Sequence, residues 1–475
     1  MTATIVSHSE PQAAARADWA GRAVTVGGAG RTGASAARFL TAAGARVSVT
    51  DSRMAPPALE AMPRADALAG LALGGLDGEM LETAELVVVS PGVPLSEPAI
   101  RDAAATGAEV VGDVELFGRY ALVPVVAVTG SNGKSTVTTL IGDMLGAAGW
   151  RVALGGNLGT PVLDLLADTA AEAFVVEVSS FQAEALRDFR PEVAVVLNLS
   201  ADHLDRYTDA AAYFDAKWRL LGNMGEGDTV VLGADDPEIR RRAEGLQSGP
   251  AVAWFGQGAP APGGAGVMEG DDGPWFALGT EGGPEPVLAV ADWPLVGLPN
   301  RANALAALAA GGALALPGSA MGAALGAFRG LAHRMEAVAE LEGVHYVNDS
   351  KGTNVGAVQA ALEGMNGPFV WIAGGVDKGG DFHALVPVLR QRGRLAVLIG
   401  EAAGTIAAAV EEAVPVVVAR HMHEAVARAA QVARPGDAVV LSPGCTSFDQ
   451  YPDFEARGAD FRRAVHALES ARAEP

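Results

Sequence analysis

Along the chain, short runs of apolar and β-branched residues alternate with glycine-rich turns and with longer stretches whose apolar positions recur every three or four residues. One stretch carries all three in order. Val125-Val126-Ala127-Val128 predicts a buried strand, and Gly130 and Gly133 predict a tight turn. Val137, Leu140, Ile141, Met144 and Leu145 predict an amphipathic helix opening at Lys134-Ser135-Thr136. Earlier, residues 23–26 predict a strand, Gly28-Ala29-Gly30-Arg31-Thr32-Gly33 a turn, and residues 34–40 a helix. A second strand over 47–50 ends at Asp51, and a third over 86–89 ends in Ser90-Pro91-Gly92. Further strands are expected at 174–178, 193–197 and 229–232, and in the last third at 344–347, 369–373, 395–399 and 438–441.

Strands alternating with helices imply an α/β protein. A length of 475 residues accords with three domains. The expected order is a flexible tail over 1–18, an N-terminal Rossmann-like domain over 19–112, a central P-loop ATPase-type domain with a mainly parallel sheet over 113–330, and a C-terminal Rossmann-like domain over 331–475. The Gly/Pro-rich region 248–286 predicts hairpins and loops. Residues 302–328 carry no charge until Arg329 and are long enough to span a bilayer. Gly311-Gly312 and Pro317-Gly318-Ser319 interrupt them, which predicts two Ala-rich buried helices instead, and no membrane partner.

Composition narrows the function. A net charge of −22 argues against nucleic acid, because no basic patch is available to neutralise phosphates. Any nucleotide must therefore be met by local donors and metal. The single Cys445 precludes an intrachain disulfide and suits a reducing cytoplasm, and no secretory signal pattern is visible at the N-terminus.

The turn at Gly130-Ser131-Asn132-Gly133 presents backbone N–H groups, and the helix that follows adds its positive dipole, so polyphosphate can sit there. Lys134 would reach the β- and γ-phosphates, and Ser135 or Thr136 would hold Mg²⁺. The full phosphate-loop pattern has a further Gly where this chain has Val128, so this is a shortened variant. Glu177 ends an apolar strand, where a carboxylate is costly unless paired or bound to metal. Asn157, and Asp202, His203 and Asp205, also follow apolar segments and suit metal or substrate contact, although a lone His is more often structural. Lys217, among Tyr213, Phe214, Trp218 and Leu220, reads as a surface lysine laying its stem on apolar neighbours. Gly28 to Gly33 with Asp51 resembles a dinucleotide-binding turn and its ribose partner.

Taken in order, TGSNGKST (129–136), GGNLG (155–159), VEVSSFQ (within 174–182), DHLDRY (202–207), HRME (333–336), NDSKGTN (348–354) and SPGCTSFDQY (442–451) resemble the Mur ligases, the ATP-dependent amide-forming family of peptidoglycan synthesis. Folylpolyglutamate synthetases share the first motif but not the closing ones. The resemblance implies three domains acting on one reaction, with ATP and two Mg²⁺ ions. NDSKGTN, GGVDKGGDF (374–382) and SPGCTSFDQYPDFEARG (442–458) are similar to the member that adds D-glutamate to UDP-N-acetylmuramoyl-L-alanine. On that resemblance Lys134, Glu177, His203, Lys217 and Lys351 are catalytic. Gly130 to Thr136, Asn303, Arg334 and Asp349 meet ATP. Arg31, Thr32, Asp51, Arg53, Ser90, Asn157 and His203 meet the UDP-substrate. Thr353, Lys378, Ser447 and Phe454 meet D-glutamate. Ser135, Glu177, His203 and Lys217, the last as a carbamate, hold metal. Pro299 stands where the family usually has His, and Gly352 where Ala is common. The expected state is a cytoplasmic monomer. Two alternatives stay open: a Mur-type ligase for another amino acid, and an inactive nucleotide-binding scaffold.

Overall fold

The computed structural model describes residues 10–157, 159–204, 206–246, 249–295, 297–365 and 367–473. Three sheets organise them. The first consists of β1 (Ala23–Gly27), β2 (Arg46–Asp51), β3 (Gly70–Leu73), β4 (Leu86–Val89) and β5 (Glu109–Gly112), in the order β3-β2-β1-β4-β5 and parallel throughout. The order reverses beside β1, and the glycine turn sits at the C-terminal end of that strand, where open α/β sheets leave a crevice.

The second sheet contains β6 (Val125–Thr129), β7 (Val152–Gly156), β8 (Ala173–Glu177), β9 (Val193–Val196), β10 (Thr229–Gly233), β11 (Ala251–Phe255), β12 (Ala265–Gly270), β13 (Gly273–Thr280) and β14 (Gly283–Ala289). Its order is β14-β13-β12-β11-β10-β9-β6-β8-β7. β7 to β12 and β6 pair in parallel, and β12, β13 and β14 form an antiparallel meander. The Gly/Pro-rich region is thus a sheet extension whose glycines make the turns. β6, β8 and β9 are buried along their whole length, as strands covered on both faces must be.

The third sheet has β15 (Glu336–Leu341), β16 (Val344–Asn348), β17 (Phe369–Gly374), β18 (Gly393–Ile399), β19 (Val416–Val418) and β20 (Ala438–Leu441), in the order β15-β16-β20-β17-β18-β19. All pairs are parallel except β15 with β16. The uncharged stretch forms two helices, Leu298–Ala313 and Gly318–Ala327, with Pro299 in the first turn of the former, where its missing N–H costs nothing. No helix among the described residues is long and apolar enough to cross a membrane.

Backbone proximity divides the chain into two compact units. One is Met1–Leu199, Phe214–Val290 and Ala304–Leu325, with the first two sheets; the other is Ser200–Tyr213, Ala291–Asn303 and Gly326–Pro475, with the third. The expected tail needs correction. Residues 1–9 lie outside the described residues, but Glu10–Trp19 is a helix. Ala15 and Trp19, one turn apart, are buried, and the Trp19 indole N–H donates to the Tyr120 hydroxyl at 2.6 Å. That hydroxyl donates to Asp18 at 2.8 Å, and Arg22 lies over the Trp19 ring. The helix is held by long-range packing rather than by its own weak amphipathicity.

Candidate active site

In the first unit, β6 delivers the chain to the phosphate loop. Gly130 has φ +148°, and a Cβ there would lie 2.8 Å from that of Leu197. Gly133, φ +85°, precedes the helix Lys134–Ala147 in a left-handed conformation that other residues resist. Asn198, just past β9, fastens the loop. Its Oδ1 accepts from Asn132 N at 2.9 Å, its Nδ2 donates to Asn132 O at 3.1 Å, and its carbonyl accepts from Ser131 N at 2.9 Å. Lys134 folds back over the loop and donates to the carbonyls of Gly130 (2.9 Å) and Ser131 (3.0 Å).

Glu177 closes this site from the end of β8. Its carboxylate is buried, accepting from the Ser135 hydroxyl at 2.5 Å and from Asn157 Nδ2 at 2.5 Å. Gly156 permits the approach: a Cβ there would lie 2.2 Å from the Glu177 carbonyl. A serine hydroxyl and a carboxylate brought together at a phosphate loop are the hard oxygen donors that Mg²⁺ prefers, so the residues present fit that ion. No group of three His, Cys, Asp or Glu side chains placed to hold a metal ion is found among the described residues. Lys217 is buried to 1% exposure and donates to the Gly130 carbonyl at 2.8 Å. The expectation of a surface lysine is overturned.

In the same unit, the glycine turn after β1 is locked internally. The Asp51 carboxylate accepts from Ala29 N at 2.6 Å and pairs with Arg53 at 2.7 Å. The Arg53 guanidinium, against the opposing effect of burial, lowers the carboxyl to about 2. Ser90 Oγ donates to the Gly28 carbonyl at 2.9 Å. Asp51 and Ser90 therefore serve the turn itself, and Arg31, whose guanidinium bonds the Gly159 carbonyl, links it to the loop after β7. Thr32 lies in the first turn of the helix Arg31–Ala42.

The second unit gathers another set at the C-terminal ends of β16, β17 and β20. Lys378 Nζ donates to Asp202 Oδ1 at 2.7 Å, while Asp202 Oδ2 accepts from Asn354 Nδ2 at 2.9 Å. Burial raises the Asp202 carboxyl, but Lys378 and His203 outweigh it and hold the group below its usual range. His203 has φ +55°, with Nε2 3.7 Å from Asp202. Lys351 places its ammonium 3.8 Å from the centre of the Phe454 ring, a cation–π contact. Asp349 accepts from Ser442 Oγ at 2.8 Å and from Met335 N at 3.3 Å. Burial is the largest influence on it and pushes its carboxyl up to about 7, with Arg334 among the groups pulling it down. Gly352 has a reason to be Gly: a Cβ would lie 2.5 Å from Asp349 Oδ2. Ser447 is buried, Thr353 half-buried, and Asn303 sits early in the helix Leu298–Ala313.

Asn354, Asn198 and Ser442 had no assigned role in the sequence, and Asp202 was read only as suited to metal or substrate contact, not as the partner of Lys378. The signal was available in part, since Asn198 and Ser442 are polar residues directly after buried strands. Asp205 lies outside the described residues.

Comparison with known proteins accords with this arrangement. The Mur ligase MurD-like N-terminal domain matches residues 22–112, the Mur ligase middle domain 128–311, and the Mur ligase glutamate ligase domain 333–445. The chain is 47% identical over 443 residues to the UDP-N-acetylmuramoylalanine--D-glutamate ligase of Nitrosococcus oceani, covering 93% of this chain and 96% of that one. It is 45% identical to the ligase of the same name from Pseudomonas aeruginosa, covering 93% and 97%. Among solved structures, the MurF ligase of Thermotoga maritima in complex with ADP superposes with a TM-score of 0.61 at 16% identity, covering 95% and 97%, a likeness of fold. With near full-length identity of this order and three matching domains, the chain belongs to the Mur ligase family.

Proposed function

We propose that this chain is an ATP-dependent ligase that joins D-glutamate to UDP-N-acetylmuramoyl-L-alanine in peptidoglycan precursor synthesis. The observation that carries the reading is its 47% identity, across nearly the whole of both chains, with a relative named for that activity. The Ser135–Glu177 pair at the phosphate loop supports the ATP half of it.

The carboxylate of the substrate's L-alanine attacks the γ-phosphorus of ATP, the bond to the bridging oxygen breaks, and ADP leaves an acyl phosphate. The amine of D-glutamate then attacks the acyl carbon, loses a proton, and inorganic phosphate departs with the bonding pair. Both steps move negative charge among phosphate oxygens, where fixed positive charge is most effective. Lys134 supplies it from the loop, and the backbone N–H groups of residues 130–136 orient the polyphosphate. Ser135 and Glu177, with His203 and a carbamylated Lys217, are the residues assigned to Mg²⁺, which supplies further charge neutralisation when bound. Asn303, Arg334, Asp349 and Lys351 are assigned to the nucleotide, and Arg31, Thr32, Asp51, Arg53, Ser90, Asn157 and His203 to the UDP-substrate. Thr353, Lys378, Ser447 and Phe454 are assigned to D-glutamate. Lys378 is a cation suited to a carboxylate. Three domains with boundaries near 112 and 330, in a cytoplasmic monomer, complete the reading; the lone buried Cys445 accords with a reducing compartment.

The test is phosphate release from ATP with UDP-N-acetylmuramoyl-L-alanine and, in turn, D-glutamate, L-glutamate, diaminopimelate and lysine. Stimulation by D-glutamate alone is expected. Stimulation by another amino acid would keep the chemistry and discard the D-glutamate assignments. No release with any of them would return the chain to the scaffold reading.

A further inference from the structure

The helix Phe454–Ala473 carries an arginine, Arg457, that is 1% exposed. Its guanidinium makes six hydrogen bonds, all to uncharged oxygens. Nε donates to Ser350 Oγ at 3.0 Å and Nη2 to Ser350 O at 2.9 Å. Both terminal nitrogens donate to Cys445 O at 3.1 Å, and Nη1 also reaches Gly374 O and Thr446 O at 3.3 Å. These acceptors lie at the C-terminal ends of three different strands: Ser350 just after β16, Gly374 the last residue of β17, and Cys445 and Thr446 in the loop after β20. A buried cation facing carbonyl dipoles rather than a carboxylate is an expensive way to join loops. Burial lowers its pKa to about 10. A planar fork with five donors is what such a junction needs, and lysine cannot supply it.

The surrounding backbone is shaped to the guanidinium. Gly375 has φ +131°, and a Cβ there would lie 1.9 Å from Thr446 O and 3.1 Å from Arg457 Nη1. Val376 and Thr446 exchange N–H···O bonds, each 3.0 Å, tying the β17 and β20 loops directly beside it. Ser350 Oγ donates onward to the Phe454 carbonyl at 2.9 Å, so the helix start is fastened to the same knot. Each loop bears a residue assigned above to substrate: Lys351 after Ser350, Lys378 beyond Gly374, and Ser447 after Thr446.

We propose that Arg457 is a positioning residue for the amino-acid site: its guanidinium fixes the spacing between the Lys378 loop and the Ser447 loop, so that the two carboxylates of one amino-acid substrate are met together. This rests on the D-glutamate ligase reading. Arg457 itself touches neither substrate nor reacting atoms; it acts through the loops.

The experiment is steady-state kinetics on the full chain, wild type against Arg457→Lys, Arg457→Gln and Ser350→Ala, with thermal unfolding of each. A wild type whose phosphate release ignores D-glutamate would sink the ligase reading itself, before the variants matter. Given a D-glutamate-dependent wild type, Arg457→Lys is expected to raise the KM for D-glutamate by about tenfold to a hundredfold, as small misplacements of binding groups do. The KM for UDP-N-acetylmuramoyl-L-alanine should stay within about twofold. Ser350→Ala keeps the cation and removes one acceptor, so it should shift the D-glutamate KM in the same direction by less. An unchanged D-glutamate KM in folded Arg457→Lys, or equal changes in both KM values, would overturn the positioning role. If both arginine variants fail to fold, Ser350→Ala decides: no selective D-glutamate effect there overturns it too.

Discussion

Lys134 and Lys217 donate to one and the same oxygen, the Gly130 carbonyl, at 2.9 and 2.8 Å. Two cations on one acceptor repel each other, and the repulsion is strongest where water is excluded, as it is around Lys217. Carbamylation of Lys217 would replace one cation with an anion at the Gly130 carbonyl, beside Lys134, and add carboxylate oxygens to the phosphate-loop site. The expected outcome is that peptide mass measurement on the native enzyme finds Lys217 carrying the mass of CO₂. Lys217→Ala should then lose most activity and recover part of it in formate or acetate. Lys134→Ala should lose about 10²–10³ in phosphate release, the usual loss for one electrostatic donor, and gain nothing from carboxylates. An unmodified lysine together with no rescue would remove the carbamate from the mechanism.

Lys378 and Asp202 form a second pair, 2.7 Å apart and largely buried, with Asn354 holding the other Asp202 oxygen. An ammonium has three donors, so Lys378 can keep Asp202 and still offer N–H to a substrate carboxylate. Asp202 then fixes where that offer is made. Lys378→Met should raise the D-glutamate KM by about tenfold or more, the worth of a charged hydrogen bond. Asp202→Asn should raise it less, since the ammonium remains but loses its anchor. The two changes should not add in the double variant, because each removes the same arrangement. Simple additivity would mean that Asp202 does not position Lys378.

The phosphate loop was legible because its information is local: strand, glycines, lysine and helix follow one another between Val125 and Ala147. The two Ala-rich helices were legible for the same reason. What could not be read depends on partners distant in sequence. Lys217 meets Gly130 across 87 residues, Lys378 meets Asp202 across 176, and Trp19 meets Tyr120 across 101. A lysine with aromatic neighbours looks alike whether its head is in water or in a core; only the packing decides. The edge strand β15 was missed because its burial is partial and its pairing antiparallel, in a sheet that otherwise pairs in parallel. Asp51 was legible in part: its place after β2 is local, whereas its bonds to Ala29 and Arg53 belong to the folded turn.

Asp113 gives a stability prediction that is independent of the reaction. It is fully buried at the start of the helix Asp113–Gly118, where its Oδ2 accepts from Gln182 Nε2 at 3.0 Å and its Oδ1 has no hydrogen-bond partner among the described residues. Burial, only partly opposed by Gln182 and by the first-turn N–H groups, pushes its carboxyl up from 3.8 to about 6. An acid raised in this way favours the folded state while protonated. Its contribution is therefore whole below the unfolded value near 3.8 and is lost as pH rises through about 6. Asp113→Asn keeps an oxygen for Gln182 and never ionises. It should stabilise the protein by about 1–3 kcal/mol at pH 8, the worth of one to two pKa units, and by little at pH 4. Urea unfolding of both proteins at the two pH values measures this directly. An equal effect at both would mean that the carboxylate is stabilised by a partner that compensates for its burial; destabilisation at pH 8 would mean that its charge is needed there.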